Sequence, residues 1–146
     1  MYTTTLPITL VLAGGLALIN IWLMFRVGQI RRAEGVYVGD GGSEHVLRRM
    51  RAHANFAENA PLTLILVGFI ELAAGASVWL WAMAALFLLA RALHPFGMDG
   101  WKPGRMFGAA ATGTLQLLLA IWAISIPATG AYSPVIQDAD PVQARG

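Results

Sequence analysis

The stretch from Leu6 to Phe25, LPITLVLAGGLALINIWLMF, carries no charged residue. At roughly 20 residues it is long enough to cross a hydrocarbon core as a helix. Pro7 falls at the start of the run, where a missing N–H costs a helix nothing. Met1 to Thr5 supplies no basic flank. The apolar run also exceeds the roughly 7–15 residues of a cleaved signal peptide's core, so it is read as a retained span. Working outward, the same test finds three more apolar segments. The expected spans are 6–26, 43–74, 77–94 and 105–126, followed by a polar tail at 127–146, all in one domain over 1–146.

The connections carry the turn chemistry. Arg26 to Gly42 is rich in charge and glycine and ends in Gly39-Asp40-Gly41-Gly42. Asp40 or Ser43 can cap the second helix by accepting from its orphan N–H groups. Pro61 falls inside that helix and removes one of its bonds. Gly75-Ala76-Ser77 reads as a tight turn. Pro95 to Gly104 reads as a loop by composition, and Pro127 as the end of the fourth span.

Composition agrees with four spans. Of 146 residues, 57% are hydrophobic and 12% charged, against about 25% charged in an average soluble domain. The mean hydropathy is +0.61. Too little polar surface remains to cover a water-soluble globule. An ordinary cytosolic domain and a nucleic-acid binder are excluded despite a pI near 9.5. There is no cysteine, so the chain has no disulfide, no thiolate metal site and no thiol nucleophile of its own. No metal site is assigned. Nine of the ten basic residues fall on one side of the alternating spans, and only Arg145 on the other. The positive-inside rule puts the basic side in the cytoplasm and both termini outside.

The chemistry-bearing residues gather on that basic side. In Arg51-Ala52-His53-Ala54-Asn55-Phe56-Ala57-Glu58, the helical repeat brings Arg51, Asn55 and Glu58 within about 60° of one another. His53 falls on the other side of the helix. Arg91 and His94 share a face at the end of the third helix. Arg105 opens the fourth, with Gly108, Thr112 and Gln116 behind it. Gly104-x-x-x-Gly108-x-x-x-Thr112 is a spacing that lets membrane helices approach closely. The plainer readings are a solvated helix end in which Arg51 pairs with Glu58, an Arg91 that snorkels to the headgroups, and simple packing at Gly108 and Thr112. Against them stands a charge argument. Arg31, Arg51, Arg91 and Arg105 converge on one level of a low-dielectric boundary, and one glutamate cannot offset four guanidinium groups. An anion-binding site follows, with headgroup phosphate as the alternative anion. Glu71, near the far end of the second helix, receives no role.

Arg51-Ala52-His53-x-Asn55-x-x-Glu58-x-x-Pro61, preceded by Gly39-Asp40-Gly41-Gly42 and set among four apolar segments, resembles the family of membrane-associated proteins in eicosanoid and glutathione metabolism, its bacterial branch in particular. The resemblance spans roughly Leu6 to Ile126. It implies an all-α integral membrane four-helix bundle assembled as a homotrimer, with glutathione as co-substrate bound between neighbouring subunits near the cytoplasmic face of a bacterial inner membrane. It also implies roles. Arg31 would hold a glutathione carboxylate. Arg51, Asn55 and Glu58 would form the polar face that receives the γ-glutamyl end. Arg91 and His94 would stand at the end of the third helix. Arg105 would lie by the thiol and stabilise the thiolate for attack on an apolar, lipid-soluble electrophile or a lipid hydroperoxide. Three features depart from the prostaglandin-synthesising relatives. Ala54 replaces a second basic residue, Met98 and Ala109 replace tyrosines, and Met106 replaces a small hydroxyl residue.

Two other classes compete with a glutathione-dependent transferase or peroxidase. A non-enzymatic lipid-binding or scaffold role exists in the same family, and the presence of Arg51, Glu58 and Arg105 together argues for chemistry. A proton-coupled exporter would carry an acid in its first span. Leu6 to Phe25 has only Asn20.

Overall fold

The computed structural model describes residues 6–130. Among them the secondary structure is four helices and no strand: α1 (Pro7–Ala33), α2 (Glu44–Ala74), α3 (Val78–Met98) and α4 (Lys102–Thr129). All four are long and apolar enough to cross a membrane. The protein is an all-α membrane four-helix bundle. The tail expected at 127–146 lies outside the described residues beyond Gly130.

Each helix buries one stripe at helical spacing. On α1 the stripe is Ile8, Leu12, Leu16, Leu23 and Arg26; on α4 it is Gly104, Gly108, Thr112, Leu115, Leu119 and Ile126. The stripes meet in one core that includes Phe56, Val67, Ile70, Leu80 and Phe87. The opposite faces leave Leu18, Ile21, Phe25, Leu117 and Ile124 exposed. In a water-soluble domain such faces would be an aggregation hazard; at this helix length they are the surfaces that lipid or a second copy covers. The chain forms two hairpins, α1–α2 and α3–α4, joined by contacts of α2 with α3 and α4 and of α1 with α3.

Turn residues act as expected at two places. The Ser43 hydroxyl accepts from the Val46 N–H, and Gly75 ends α2 at φ 78° before the Ser77 hydroxyl accepts from the Leu80 N–H. Four boundaries differ from the sequence reading. Helix α1 runs past position 26 to Ala33, because charge does not end a helix. Its end comes where Gly35 turns to φ 65° and the Val36 N–H bonds back to the Arg31 carbonyl at 2.9 Å. Helix α3 continues through Pro95 to Met98 and α4 begins at Lys102, so the expected ten-residue loop shrinks to Asp99–Trp101. Pro95 removes one bond to the preceding turn. That cost is met by packing: a side chain at Gly97 would strike the Arg105 backbone, and one at Gly104 would strike Trp101. Pro127 likewise sits inside α4, which ends at Gly130 in the left-handed conformation.

Gly108 tests the α3–α4 contact one helical turn deeper in the bundle. A Cβ there would meet His94 Cβ at 2.7 Å and the Ala90 carbonyl oxygen at 3.1 Å. Gly108→Ala is expected to destabilise the bundle by about 1–3 kcal/mol through overpacking. A lowered unfolding midpoint in detergent is the readout, and an unchanged one would mean the hairpin opens freely.

The basic end is tied together by one acid. Arg26 is buried, with its guanidinium paired to Asp99 and lying 5.0 Å from the Trp22 ring centre and 5.6 Å from that of Phe96. Arg49 donates to the Arg26 carbonyl at 3.1 Å and lies 3.8 Å from the Asp99 carboxylate. This knot fixes the α3–α4 connection against α1 and α2, and with it the start of the helix that carries Arg105.

Candidate functional site

A cleft of about 260 Å³ opens on the basic end between α2, α3 and α4. Helix α2 contributes Arg51, Ala54, Asn55 and Glu58; α3 contributes His94 and Met98; α4 contributes Arg105 and Ala109. The helical repeat puts Arg51, Asn55 and Glu58 on one wall. The close α3–α4 crossing at Gly97, Gly104 and Gly108 brings Arg105 to the opposite wall. Five of the seven residues singled out in the sequence therefore line one cavity.

The sixth, Arg91, lies behind the wall. Its side chain does not snorkel: the residue is 2% exposed. One Nη donates to Asn55 Oδ1 at 2.9 Å and the other to the Gly108 carbonyl at 2.8 Å, and the guanidinium lies 5.7 Å from the Phe87 ring centre. Its Nε is the one fully buried side-chain polar atom without a partner among the described residues. Arg91 thus aims Asn55 into the cleft and joins α2, α3 and α4 beneath it.

The seventh, Arg31, stands elsewhere. It donates to the Tyr37 carbonyl at 2.9 Å and contacts Met50 Sδ at 3.3 Å. It lines separate hollows, one with His53 beside α1 and α2 and one with Tyr37 in the connecting loop. Within one chain, Arg31 does not meet Arg51 and Arg105. His53 occupies this other side too, with Nε2 2.9 Å from Asn20 Oδ1.

The electrostatics of the basic end separate paired from unpaired cations. Asp99 serves Arg26 and Arg49, Glu44 serves Arg48, and Glu34 lies 3.3 Å from His45. Among the described residues, Arg51, Arg91 and Arg105 take part in no ion pair, and neither does Glu58. The pairing of Arg51 with Glu58 offered by the plainer reading is absent. Two exposed guanidinium groups, Arg51 and Arg105, and one carboxylate line the cleft, with the buried Arg91 behind its wall; at a membrane boundary this positive excess favours an anionic occupant. The free Glu58 carboxylate makes the cleft dipolar, suited to a molecule with carboxylates at one end and an ammonium group beside them. Its volume falls just under the ~300–1,000 Å³ usual for small-molecule sites.

Ala54, Met98 and Ala109 all line this cleft. They are the positions where the sequence departs from the prostaglandin-synthesising pattern. Met106 does not; it is 72% exposed and points away.

Two polar features escaped the sequence reading. Glu71, 1% exposed at the far end of α2, accepts from the Ile8 and Thr9 backbone N–H groups at 2.9 and 2.8 Å and from the Thr9 hydroxyl at 2.6 Å. It caps α1, whose own N-cap position is Leu6, without a capping side chain. The second is a seam along α2 and α4, where Gln116 Nε2 donates to the Asn59 carbonyl at 3.2 Å and to the Thr63 hydroxyl at 3.1 Å. The α4 half was visible as Gly108, Thr112 and Gln116. Its match with Asn59 and Thr63 at the same four-residue step on α2 was the available signal.

The model of the MAPEG family matches residues 9–125 of the chain. Over 111 residues the chain is 29% identical to Inner membrane protein YecN of Escherichia coli strain K12, and to the protein of the same name from Escherichia coli O6:H1. The shared stretch covers 73% of this chain and 84% of each relative.

Proposed function

The chain belongs to the MAPEG family, and from that premise we propose that it is a glutathione-dependent membrane transferase or peroxidase acting on apolar electrophiles. The observation that carries this reading is the gathering of Arg51, Asn55, Glu58 and Arg105 around one cleft whose cations have no acidic partner. Glutathione has the matching charges: two carboxylates, one ammonium group and a thiol. Arg51 would pair a carboxylate, Glu58 would receive the ammonium, and Asn55, held by Arg91, would bond the backbone of the γ-glutamyl unit. His94 borders the cleft on α3. Arg105 would face the sulfur. A thiol with a pKa near 8.5 is mostly protonated at neutral pH, and a neighbouring guanidinium shifts it toward the thiolate. The thiolate would then displace a leaving group from an electrophilic carbon, or add to an activated double bond whose other carbon takes a proton, to form a thioether; or it would attack the terminal peroxide oxygen, breaking the O–O bond with release of the alcohol and leaving a glutathione sulfenic acid that a second glutathione converts to the disulfide and water.

The homotrimer belongs to this proposal. The cleft is small for a complete site, and Arg31 lies off it on the α1–α2 side. A neighbouring copy that set its Arg31 against the cleft would add the missing carboxylate anchor. The assay that tests the activity is turnover of an apolar electrophile and of a lipid hydroperoxide, each with and without glutathione. Turnover of either that needs glutathione supports the reading. No turnover of either by a protein that binds glutathione would favour the lipid-presenting role instead.

We also place the chain in a bacterial inner membrane, as YecN's name says of that protein, with the cleft in the cytoplasm. The basic excess on the cleft side supports this orientation. With no native cysteine, Val38→Cys and Ala76→Cys report the two sides cleanly, since both positions are exposed. In intact cells an impermeant thiol reagent is expected to label Cys at 76 and spare Cys at 38. The reverse pattern would invert the topology.

A further inference from the structure

The cleft holds one side chain whose chemistry the glutathione contacts leave unused. Of the residues that line it, the two alanines and Met98 have no side-chain proton to exchange. Arg51 and Arg105 stay protonated and have no lone pair to offer, and the Asn55 amide does not titrate. Glu58 is taken by the ammonium group. His94 remains. It is the lining residue that can donate from one ring nitrogen while it accepts at the other.

Its position follows from the α3–α4 crossing. A Cβ on Gly97 would strike the Arg105 backbone, and one on Gly108 would strike His94 Cβ. The two helices run antiparallel, so these contacts set one register: Gly97 against Arg105, then His94 against Gly108. His94 therefore lies one helical turn, about 4.5 Å, deeper along the crossing than Arg105. Arg91, three residues earlier, is held behind the wall by Asn55 and the Gly108 carbonyl. His94 is 6% exposed, and it lines the cleft. Among the described residues neither of its ring nitrogens makes a hydrogen bond; the bonds beside it belong to Arg91 and Thr112. Neither nitrogen is sealed, since the fully buried side-chain polar atom without a partner is Arg91 Nε. Buried polar groups are ordinarily bonded, so a ring left open to the cleft points to a partner that enters it.

We propose that His94 is the proton relay of the cleft, giving its N–H proton to the oxygen that departs when the thiolate cleaves a peroxide. The inference deepens the transferase or peroxidase reading and rests on it. The thiol loses its proton to solvent as it ionises beside Arg105. Its sulfur then bonds the terminal peroxide oxygen while the O–O bond breaks; sulfur is oxidised to the sulfenic acid and the peroxide is reduced. Attack occurs over ~3–3.5 Å, so the departing oxygen stands just beyond the attacked one, within reach of a group one turn from Arg105. The alkoxide takes the His94 proton and leaves as the alcohol. The other ring nitrogen takes a proton from water, which returns the one the thiol released, and solvent exchange resets the tautomer. Displacement of chloride from an aromatic ring needs no such proton, because chloride leaves as a stable anion.

The test compares cumene hydroperoxide with 1-chloro-2,4-dinitrobenzene, each with saturating glutathione and the full-length protein in detergent. The readout is the ratio of the two turnover rates. His94→Ala is expected to lower the hydroperoxide rate about 10²-fold relative to the chloroarene rate, the low end of acid–base catalysis by a positioned side chain. Added imidazole is expected to recover part of that loss, since the missing ring leaves room for it. His94→Gln is expected to show the same fall in ratio without recovery, because its amide fills the space and cannot pass a proton; it serves if His94→Ala does not fold. A histidine that only contacts glutathione or props the helices would lower both rates alike. An unchanged ratio in both variants, or a loss in His94→Ala that imidazole does not relieve, would overturn the relay and leave the transferase reading standing. A wild-type protein that conjugates the chloroarene but spares the hydroperoxide would overturn the relay alone. One that turns over neither would overturn it together with the reading it rests on.

Discussion

Arg105→Ala is expected to lower glutathione-dependent turnover by about 10²–10³-fold, the usual loss when a preorganised group that stabilises developing or full negative charge is removed. The residue is exposed on the cleft wall and bonds no other described side chain, so its loss leaves the bundle intact. Its proposed task is to hold negative charge on sulfur. The defect should therefore depend on pH in a stated direction. With Arg105 the thiolate fraction saturates at low pH, and the rate is flat through neutrality. Without it the thiol returns toward its pKa of about 8.5, and the rate climbs with pH until the gap to the wild type narrows. Steady-state rates from pH 6.5 to 9.5 with a fixed apolar electrophile are the check. A uniform loss across that range would assign Arg105 to positioning rather than to thiolate stabilisation. Arg105→Lys is expected to restore part of the rate, because charge returns without the planar fork.

Glu71→Leu is expected to do the opposite: to cost about 3 kcal/mol of stability and leave the chemistry of whatever remains folded unchanged. The carboxylate accepts three bonds from the first turn of α1. A negative charge at a helix N-terminus also meets the positive end of the backbone dipole. Leucine fills the volume but leaves the Ile8 and Thr9 N–H groups bare, and each bare buried donor costs about 1–3 kcal/mol. Glu71→Gln keeps one acceptor and brings an N–H against an N–H, so an intermediate loss of roughly 1–2 kcal/mol is expected. Unfolding midpoints in detergent decide the order wild type, glutamine, leucine. An unchanged midpoint for leucine would show that water reaches that turn of α1 and satisfies it. The two variants separate the ends of the molecule: one end carries the proposed site, the other holds the first hairpin together.

The contrast between Arg105 and Glu71 also shows what a sequence makes legible. The spans, the turn at Gly75–Ser77 and the shared face of Arg51, Asn55 and Glu58 follow from local rules: hydrophobic run length, turn chemistry and the 3.6-residue repeat. The role of Glu71 does not, because its partners lie more than 60 residues away in the chain and are backbone groups that no residue type announces. Arg26 was placed in a connection because charge usually marks one. Asp99 and the Trp22 and Phe96 rings hold it inside a helix instead. Pro95 marked a loop by composition, yet glycines at 97 and 104 let α3 and α4 pack so closely that helix persists on both sides of a three-residue connection. Arg91 shares a face with His94 and joins the converging arginines, and only the packing reveals that it bonds Asn55 from behind the cleft wall. Both the charge count and the family resemblance group Arg31 with the same site, and one chain leaves it outside.

The measurement closest to the central claim is calorimetric titration of the purified protein with glutathione, run beside Arg51→Ala and Arg105→Ala. Saturable binding is predicted for the wild type. Arg51→Ala is predicted to weaken it by about 10–100-fold, as the loss of one charged hydrogen-bonded pair implies. Arg105→Ala is predicted to weaken it too, and more so as the pH rises, since a group that lowers the pKa of the bound thiol also tightens binding of the thiolate. A folded wild-type protein that gives no heat of binding at millimolar glutathione would contradict the account.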